Sequence, residues 1–249
     1  ESGELASGLS GEGRMAEPEN IVAFLENDLL EKLPLKGKKM LITAGPTYEA
    51  IDPVRFIGNH SSGKMGFDIA NEAANKGADV ILVSGPTHLN VQNSSIKLIR
   101  VTSAQDMYDA CHEHYEKVDV AIAAAAVADY RPKNVADQKI KKNEATFSIE
   151  LEKTKDILAA LGEQKKNQFL IGFALETENE IEHAKQKIQK KNLDLIVLNS
   201  LNDVGAGFGS PTNKVTFISK DFSIEPKELK SKEEVAQDII NKVIQFYDA

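Results

Sequence analysis

The stretch Ile42-Thr43-Ala44-Gly45-Pro46-Thr47 decides the fold, because it is an apolar run that ends in small and turn-forming residues. The same pattern returns from Val80 to Ser84, which is followed by Gly85-Pro86-Thr87. Along the chain, short apolar runs alternate with helical stretches, and this alternation predicts a parallel sheet. Most of the runs are apolar throughout, so we expect helices to cover both faces of that sheet.

Six strands are predicted: Met40 to Ala44, Val80 to Ser84, Lys97 to Val101, Val120 to Val127, Phe169 to Ala174 and Leu195 to Asn199. Helices with start or stop signals are predicted at about 17–32, Phe67 to Asn75, Ala104 to Glu116, Asp156 to Leu161, Asn179 to Lys191 and from Ser231 onward. Two stretches, Asn134 to Lys153 and Val215 to Lys227, are typical of antiparallel hairpins. The predicted fold class is α/β, a Rossmann-like doubly wound, mainly parallel sheet with helices on both faces and added antiparallel hairpins.

The bulk composition excludes several classes of protein. The 249 residues are 41% hydrophobic, and a formal net charge of -8 would repel a phosphodiester backbone, so we expect no nucleic-acid partner. Cys111 is the single cysteine, which rules out a disulfide framework or a cysteine-based metal site and makes a cytoplasmic location the simplest expectation. Because the sequence shows no apolar run near the ~18 residues that span a bilayer, we expect no membrane association.

Three regions are expected along the chain. Residues 1–16 contain several glycines and few large apolar residues, so we predict a flexible lead-in. Residues 17–37 start with Glu17-Pro18-Glu19, which favours a helix N-terminus, and form a predicted helical linker. Residues 38–249 form the predicted main domain.

Residues at the strand ends carry the strongest functional signal, because ligands of a doubly wound sheet bind outside the carboxyl ends of its strands. The fourth apolar run ends in Ala123-Ala124-Ala125-Ala126-Val127-Ala128-Asp129. Small residues at a strand end often indicate only tight helix packing, and for the Gly-Pro turns we prefer that interpretation. For the alanine run we predict a binding site, since four alanines let a flat group approach the backbone just before a carboxylate.

The loop at 58–66, Gly-Asn-His-Ser-Ser-Gly-Lys-Met-Gly, precedes the first helix of the main domain. Backbone N–H groups of such a loop, together with the helix dipole, favour phosphate or carboxylate binding. Its spacing resembles a Walker A loop, but Met65 stands where that loop needs a hydroxyl, so a P-loop kinase or ATPase is disfavoured.

Basic residues give a weaker signal. Lys139-Ile140-Lys141-Lys142 is either a solvated turn or a flap that neutralises charge on a transferring phosphoryl group. Lys187 and Lys191 are neighbours on one helix face and either reach the same polyphosphate or form a solvated stripe. The sequence shows neither a Ser-His-Asp pattern nor histidines at metal-ligand spacing, and Gly-x-Gly-x-x-Gly follows none of the predicted strands.

Several motifs together resemble the phosphopantothenoylcysteine synthetase family. They are residues 42–47, Asp52-Pro53-Val54-Arg55 and residues 59–66, followed in order by residues 125–130, 139–142, 172–177 and 192–195. The resemblance runs from about Lys38 to the C-terminus. It implies a ligase that condenses 4'-phosphopantothenate with L-cysteine, using CTP through an acyl-cytidylate and releasing CMP and pyrophosphate, in coenzyme A biosynthesis. It also implies Mg²⁺ with the triphosphate, metal ligands that stay unassigned, and a homodimer.

The resemblance also implies roles for individual residues. Lys139 would stabilise charge during the first step, and Asn59 would hold the acyl-phosphate intermediate for the amine. Arg55, Asn59 and Ala126 would bind the acid substrate, with Arg55 on its phosphate. The nucleotide site would comprise Gly45, Ser62, Gly63, Ala123, Ala124, Ala125, Asp129, Lys139, Lys155, Asp156, Ile157, Leu158, Phe173, Lys187 and Lys191. One departure is Thr154-Lys155, where the family often has Asn-Pro.

The lead-in resembles a second family. Gly11-Glu12-Gly13-Arg14-Met15-Ala16-Glu17-Pro18 is similar to the end of the flavin-dependent phosphopantothenoylcysteine decarboxylase that precedes the synthetase in bifunctional proteins. Ser7 stands where that family has a catalytic cysteine, so we expect no decarboxylase activity, and FMN would belong only to the decarboxylase body.

Two other functions stay open at this point. A Rossmann-like reductase would use the same strand ends for NADPH, although the glycine fingerprint is missing. A non-enzymatic nucleotide sensor or scaffold would bind nucleotide without turnover.

Overall fold

The computed structural model describes residues 2–4, 7, 9–12, 15–141, 146–176, 178–200 and 210–248. Its strands are β1 Ser2–Glu4, β2 Ser10–Glu12, β3 Lys39–Ala44, β4 Tyr48–Ala50, β5 Phe56–Gly58, β6 Asp79–Ser84, β7 Ile96–Arg100, β8 Val120–Ala123, β9 Tyr130–Pro132, β10 Leu151–Lys153, β11 Phe169–Glu176, β12 Leu195–Ser200, β13 Thr212–Asn213, β14 Val215–Ser219, β15 Ile224–Pro226 and β16 Lys230–Ser231. Its helices are α1 Pro18–Glu31, α2 Lys64–Asn75, α3 Ala104–Tyr115, α4 Ile157–Gln164, α5 Glu180–Lys190 and α6 Lys232–Asp248.

The central sheet has eight strands in the order β15-β14-β12-β11-β8-β3-β6-β7. The six strands from β12 to β7 are parallel, and the pair β14 and β15 extends the β12 edge in antiparallel fashion. Numbered along the chain, the parallel strands lie in the order 3-2-1-4-5-6 of a doubly wound sheet. The strand order therefore reverses between β3 and β8. The predicted fold class and the hairpin from Val215 to Lys227 are confirmed.

Each face of the sheet has its own apolar core. On one face, side chains of β3 such as Met40 and Ile42 pack with Phe67 and Ile69 of α2 and with α6. On the other face, Leu41 belongs to a core that includes residues of α3, α4 and α5. Alternate residues of a strand point to opposite faces, so a strand that is covered on both sides must be apolar throughout. This is why the apolar runs in the sequence predicted the strands well.

The helix caps follow the signals in the sequence. Ser103 caps α3 by accepting a hydrogen bond from the Asp106 amide, and the Asp106 carboxylate accepts one from the Ser103 amide. The same reciprocal pair joins Ser231 and Glu234 at the start of α6. Such capping boxes satisfy two amides that otherwise lack partners in the first turn, and they fix where a helix starts.

Two predicted boundaries differ from the structure. The strand predicted from Val120 to Val127 ends at Ala123. The ladder with β3 is interrupted there, at the turn where Gly45 has a φ of 76°, and a single bridge between Pro46 and Ala126 follows it. The helix predicted from Phe67 begins at Lys64, directly after Gly63 in the left-handed conformation.

The predicted hairpin from Asn134 to Lys153 is formed by β9 and β10, so its first strand begins earlier, at Tyr130. Its tip includes residues 142–145, which lie outside the described residues. The second paired strand is confined to Leu151–Lys153, shorter than the alternation from Phe147 suggested.

The residues before the main domain form a short two-stranded ladder, β1 with β2, and then α1. In α1, the side chains of Val22, Phe24 and Leu29 are more than half exposed. The flexible lead-in and the linker role of residues 17–37 stay predictions. Of the helices in the described ranges, none is long and apolar enough to cross a membrane.

Candidate active site

A cavity of about 740 Å³ lies at the carboxyl edge of the sheet, where the strand order reverses. Its walls come from the ends of β3, β8, β11 and β12, from the N-termini of α2 and α4, and from the start of α6. The predicted site residues that line it are Asn59, Ser62, Gly63, Ala123, Ala124, Ala125, Ala126, Asp129, Lys155, Asp156, Ile157, Leu158, Phe173 and Lys191. Most of the predicted site is thus in one place.

The alanine run, Ala123 to Ala126, forms one wall of this cavity. Its backbone leaves the sheet after Ala123, and other groups replace the strand ladder. The Ala125 amide donates to Thr43 Oγ1 at 3.1 Å, and the Ala126 amide donates to the Gly45 carbonyl at 2.9 Å. The run is therefore held flat at the sheet edge, and its small side chains leave backbone groups open to a ligand. Gly45 does not line the cavity itself but holds this wall in place.

Asn59 joins the loop before α2 to the alanine run. Its Nδ2 donates to the carbonyls of Ala126 and Val127 at 3.1 and 3.0 Å. The side chain of Asn59 is exposed at the cavity, and with both Nδ2 contacts made to backbone, Oδ1 is the part of the amide that can accept a hydrogen bond from a ligand. The structure thus places Asn59 and Ala126, both predicted to bind the acid substrate, in direct contact.

The N-terminus of α2 lies directly against the end of β3. A Cβ added at Gly66 would lie 2.5 Å from the Ala44 Cβ, and one at Gly63 would lie 3.3 Å from the backbone of Gly45. Only glycine permits this approach, which brings the amides at the start of α2 to the cavity. Such amides and the helix dipole favour an anionic ligand.

The opposite wall is the start of α4. Asp156 caps the helix by accepting from the Ala159 amide at 2.9 Å and forms an ion pair with Lys191 at 2.7 Å. Burial alone would raise the pKa of Asp156, but Lys191 and the helix amide outweigh it, so the pKa lies below its ordinary value. Lys155 lies over the Tyr108 ring at 4.6 Å. This wall offers apolar surface from Ile157, Leu158 and Phe173 next to paired charges.

Lys187 lies next to this wall but outside the set that lines the cavity. Its Nζ donates to Glu176 at the end of β11, at 3.1 Å. It is one turn from Lys191, as predicted, and its charge helps to lower the pKa of Asp156.

Arg55 and Lys139 also lie outside the cavity of their own chain. Arg55 forms an ion pair with buried Asp52, and its guanidinium donates to the Ile140 carbonyl at 3.1 Å. Asp52 in turn accepts from the Ile140 amide at 3.1 Å. The Arg55 guanidinium, opposed by burial, holds the pKa of Asp52 well below its usual range. Asp52 and Arg55 therefore clamp the lysine-bearing turn next to Lys139, whose side chain is exposed.

Some cavity residues were missed by the sequence analysis. Lys232, Asn199 and Asn213 line the end of the cavity formed by α2 and α6, next to Lys64, which belongs to the loop at 58–66 that was predicted to bind an anion. Lys64 forms ion pairs with Asp68 at 3.0 Å and Glu233 at 2.7 Å. The signals were indirect: the capping box at Ser231 fixes the next residue, Lys232, at the first position of α6. That this helix start meets the cavity depends on long-range packing.

Thr154, at the departure from the family pattern, was also not assigned a role. Its hydroxyl donates to the Ala128 carbonyl at 2.7 Å, and its amide donates to the Asp129 carbonyl at 3.0 Å. Thr154 therefore ties the end of β10 to the chain that follows the alanine run.

The single cysteine does not line the cavity. Cys111 is buried in α3, and burial raises the pKa of its thiol to about 12, so it is not a thiolate at neutral pH. Within the described ranges, His, Cys, Asp and Glu side chains do not form a group of three or more that could hold a metal ion.

The strand order and the position of the cavity define a Rossmann-like α/β protein with a ligand site at its topological switch point. The chain belongs to the family of the DNA/pantothenate metabolism flavoprotein C-terminal domain, whose model matches residues 35–247. The family resemblance predicted from the motifs is confirmed.

Relatives and a solved structure agree with this assignment. The chain is 52% identical over 248 residues, 98% of its length, to a cysteine/cysteine sulfinic acid decarboxylase from an unknown prokaryotic organism, of which it spans 69%. It is 47% identical over 243 residues, 97% of its length, to the coenzyme A biosynthesis bifunctional protein CoaBC of Bacillus subtilis strain 168, of which it spans 60%. The crystal structure of the C-terminal domain of a CoaBC protein matches with a TM-score of 0.74 and 47% identity, covering 87% of this chain and 99% of that one.

Proposed function

We propose that the chain is a phosphopantothenate–cysteine ligase of coenzyme A biosynthesis, which joins 4'-phosphopantothenate to L-cysteine with CTP. The observation that carries the proposal is the contact of Asn59 with the alanine run beside the N-terminus of α2, in the wall of a cavity of about 740 Å³. The 47% identity to the C-terminal domain of CoaBC supports it. A cytoplasmic location is part of the same proposal.

The reaction has two steps. A carboxylate oxygen of the acid attacks the α-phosphorus of CTP; a P–O bond forms, the bond to the β-phosphate breaks, and its electron pair leaves with pyrophosphate. The cysteine amine, after losing a proton from its ammonium form, then attacks the acyl carbon. A C–N bond forms, the acyl C–O bond breaks with its electron pair on CMP, and the nitrogen loses a second proton to give the amide.

The wall formed by α4 and the alanine run suits the nucleotide. Backbone groups of Ala123 to Ala125 would read the edge of the base, and Phe173 with Ile157 and Leu158 would supply apolar contact. Lys155 and Lys191 would lie near the ribose and phosphates. Ser62 and Gly63, at the start of α2, would place backbone amides on phosphate oxygens.

Magnesium fits this site as a companion of the triphosphate. Mg²⁺ is bound largely through substrate phosphates with one or two carboxylates, and Asp129 places a carboxylate at the cavity. When bound, the ion would neutralise phosphate charge, while Asp129 would orient the phosphates or the ribose.

Asn59 would act on the intermediate. With Nδ2 held by two backbone carbonyls, its position is fixed, and a fixed partner aligns an acyl phosphate for attack at little entropic cost.

Lys139 and Arg55 lie together but away from the cavity of their own chain. We therefore assign them to the cavity of a second copy in a homodimer. There, Lys139 would neutralise charge during the first step and Arg55 would hold the phosphate of the acid, to which a guanidinium can donate two hydrogen bonds.

The test follows each half-reaction separately. The chain is incubated with phosphopantothenate and each nucleoside triphosphate in turn, and pyrophosphate is measured before and after cysteine is added. We expect pyrophosphate without cysteine, then CMP after cysteine. Asn59→Asp should still release pyrophosphate but transfer poorly to cysteine. Nucleotide binding without pyrophosphate release, or NADPH binding in its place, would refute the ligase.

A further inference from the structure

The proposed function leaves one end of the cavity without a ligand. This end, here called the α2/α6 end, is formed by Lys64, Lys232, Asn199 and Asn213. It lies on the face of the sheet that carries α2 and α6, because Val197 of β12 belongs to that core and Asn199, two residues later, points the same way. The nucleotide wall at α4 lies toward the other face.

Asn213 contains an unusual polar group. The residue is 3% exposed, and its Nδ2 donates to Asn199 Oδ1 at 3.2 Å. Its Oδ1 is buried and finds no hydrogen-bond donor among the described residues. A buried carbonyl oxygen without a donor costs free energy, and native proteins rarely keep one without a reason. Because Asn213 lines the cavity, a ligand N–H or O–H group is the expected partner.

Lys232 provides a buried cation at the same end. The residue is 6% exposed and occupies the first position of α6, while Lys64 occupies the first position of α2. Burial lowers the pKa of Lys232, Asp68 opposes this, and Lys64 adds to it. Among the described residues, the inner part of the cluster contains Lys64, Lys232 and the carboxylate of Asp68, while the Glu233 side chain is 69% exposed. The N-terminus of α6 adds partial positive charge, so this end favours an anionic group.

We infer that the α2/α6 end binds the head group of a zwitterionic α-amino acid, with its carboxylate on Lys232 and its amine on Asn213 Oδ1. The inference rests on the proposed function, in which that amino acid is cysteine. The Lys232 ammonium matches the carboxylate of such a head group. The Asn213 oxygen, which has no donor among the described residues, matches its amine. A phosphate group would instead turn a negative oxygen toward the Asn213 carbonyl.

This arrangement has a consequence for specificity. Any molecule with an amine can donate a hydrogen bond to Asn213. Only a molecule that also has a carboxylate can form an ion pair with Lys232. The site should therefore prefer cysteine to cysteamine, which has the same thiol and amine but lacks the carboxylate. Lys64, held by Asp68 and Glu233, would position the cluster.

The test compares the two amines in the intact chain. Lys232→Met keeps a long apolar stem but removes the charge. With cysteine, we expect kcat/KM to fall on the order of 10- to 100-fold, the loss typical of a hydrogen bond to a charged group. With cysteamine it should change less than about threefold. Pyrophosphate release before the amine is added should continue, so the loss falls on the second half-reaction.

Further variants control for folding and charge. Lys230→Met is the matched control, because Lys230 is two residues away, pairs with Asp238 and does not line the cavity. Lys232→Arg should restore part of the preference for cysteine. Asn213→Leu should weaken the binding of cysteine and of cysteamine to the same extent. Each variant is used only if its thermal melt is cooperative and within a few degrees of the wild type.

Three outcomes would overturn the inference. The first is an equal loss of kcat/KM with both amines in Lys232→Met. The second is a loss confined to pyrophosphate release, which would make this end a triphosphate site. The third is an unchanged preference for cysteine. If the wild type releases no pyrophosphate at all, the ligase proposal fails by itself. Calorimetric titration of cysteine and cysteamine into wild type and Lys232→Met then decides the inference separately, because only wild type should bind cysteine more tightly than cysteamine.

Discussion

The alanine run at Ala123 to Ala126 and the lysine turn at Lys139 to Lys141 were both predicted to touch the nucleotide, yet the fold treats them differently. The alanine run forms a cavity wall, held by Thr43 and Gly45 of the neighbouring strand end. The lysine turn lies away from that wall, clamped by Asp52 and Arg55. A strand end is placed by the sheet itself, whereas a hairpin tip is placed by its own contacts and by whatever covers it.

From this difference we expect the two regions to have different tasks: the wall binds the nucleotide, and the turn takes part in the chemical step. The wall needs only the chain that forms it, so residues there should govern nucleotide affinity. The turn carries a charge that acts only where a phosphoryl group transfers, so it should govern rate. The substitutions below test this division.

The largest effect is expected for Lys139→Gln. If the ammonium stabilises charge in the first step, pyrophosphate release should fall about 10²- to 10³-fold, with nucleotide affinity changed little. Lys141→Gln, two residues along the same turn, is the control and should stay near wild type.

Mixing variants tests whether the turn serves a second copy. The Lys139→Gln and Asn59→Asp variants each lack one of the two residues. If a site takes Lys139 from one copy and Asn59 from the other, a mixed dimer contains one site with both residues intact. Mixing the two variants should then restore part of the activity. Equal loss in Lys139→Gln and Lys141→Gln, or a nucleotide affinity that falls with the rate, would contradict the division.

A smaller effect is expected from enlarging one side chain in the alanine wall. Ala125→Val adds two methyl groups where the backbone should meet the base, and overpacking of about 1–3 kcal/mol corresponds to roughly tenfold weaker nucleotide binding. Titration calorimetry with CTP measures it. Ala50→Val, on an exposed strand residue, should bind CTP normally. If Ala125→Val lowered the rate at saturating CTP instead, the wall would take part in the chemistry.

The sequence predicted the sheet because burial on both faces requires continuous apolar runs, as in residues 40–44. It predicted the starts of α3 and α6 because capping boxes are local signals. It placed the end of β8 four residues too late, since Ala124 to Val127 are as small and apolar as the strand itself. The interruption of the ladder coincides with a turn in the neighbouring strand, at Gly45, which the sequence of β8 itself does not reveal.

The site residues also fall into two groups, those that the sequence predicted and those that it did not. Asn59 and the alanine run were predictable, because motif spacing and strand ends locate them. Lys232 and Asn213 were not, because nothing local distinguishes them from surface residues. They reach the cavity only through the packing of α6 on α2 and of β14 on β12. Burial of their polar groups is a property of the whole fold.

Asp52→Asn loosens the clamp on the lysine turn and should also change the dependence of stability on pH. The folded pKa of Asp52 lies below its unfolded value, so its ionised form stabilises the fold above that value and the contribution is lost as pH falls. The stability advantage of wild type over the variant should be largest above about pH 5, should begin to shrink as pH falls below about 4, and should still be present at about pH 3, because the folded pKa lies well below the unfolded one. Thermal melts across this range measure it.

Arg55→Met removes the partner of Asp52 and should abolish most of the same difference in stability between high and low pH. Wild-type and Asp52→Asn melting temperatures that stay parallel over the whole range would show that the ion pair does not couple to folding. Asp52→Asn should slow pyrophosphate release less than Lys139→Gln does, because the turn keeps its charge. Arg55→Met also removes the proposed contact to the phosphate of the acid, so its effect on activity is larger than that of Asp52→Asn.

The smallest effect concerns Thr154, which joins the two regions, since its hydroxyl donates to the Ala128 carbonyl just beyond the alanine run. Thr154→Val keeps the shape but leaves a buried acceptor without this donor, at a cost of about 1–2 kcal/mol in the free energy of unfolding, measurable with urea. Thr154→Ser keeps the hydroxyl and should lose less. Because Thr154 anchors the base of the hairpin and not its tip, CTP affinity should weaken together with stability while the maximal rate of pyrophosphate release is maintained. A lower maximal rate with unchanged CTP affinity would mean that the base of the hairpin positions Lys139, and that the two regions act as one unit.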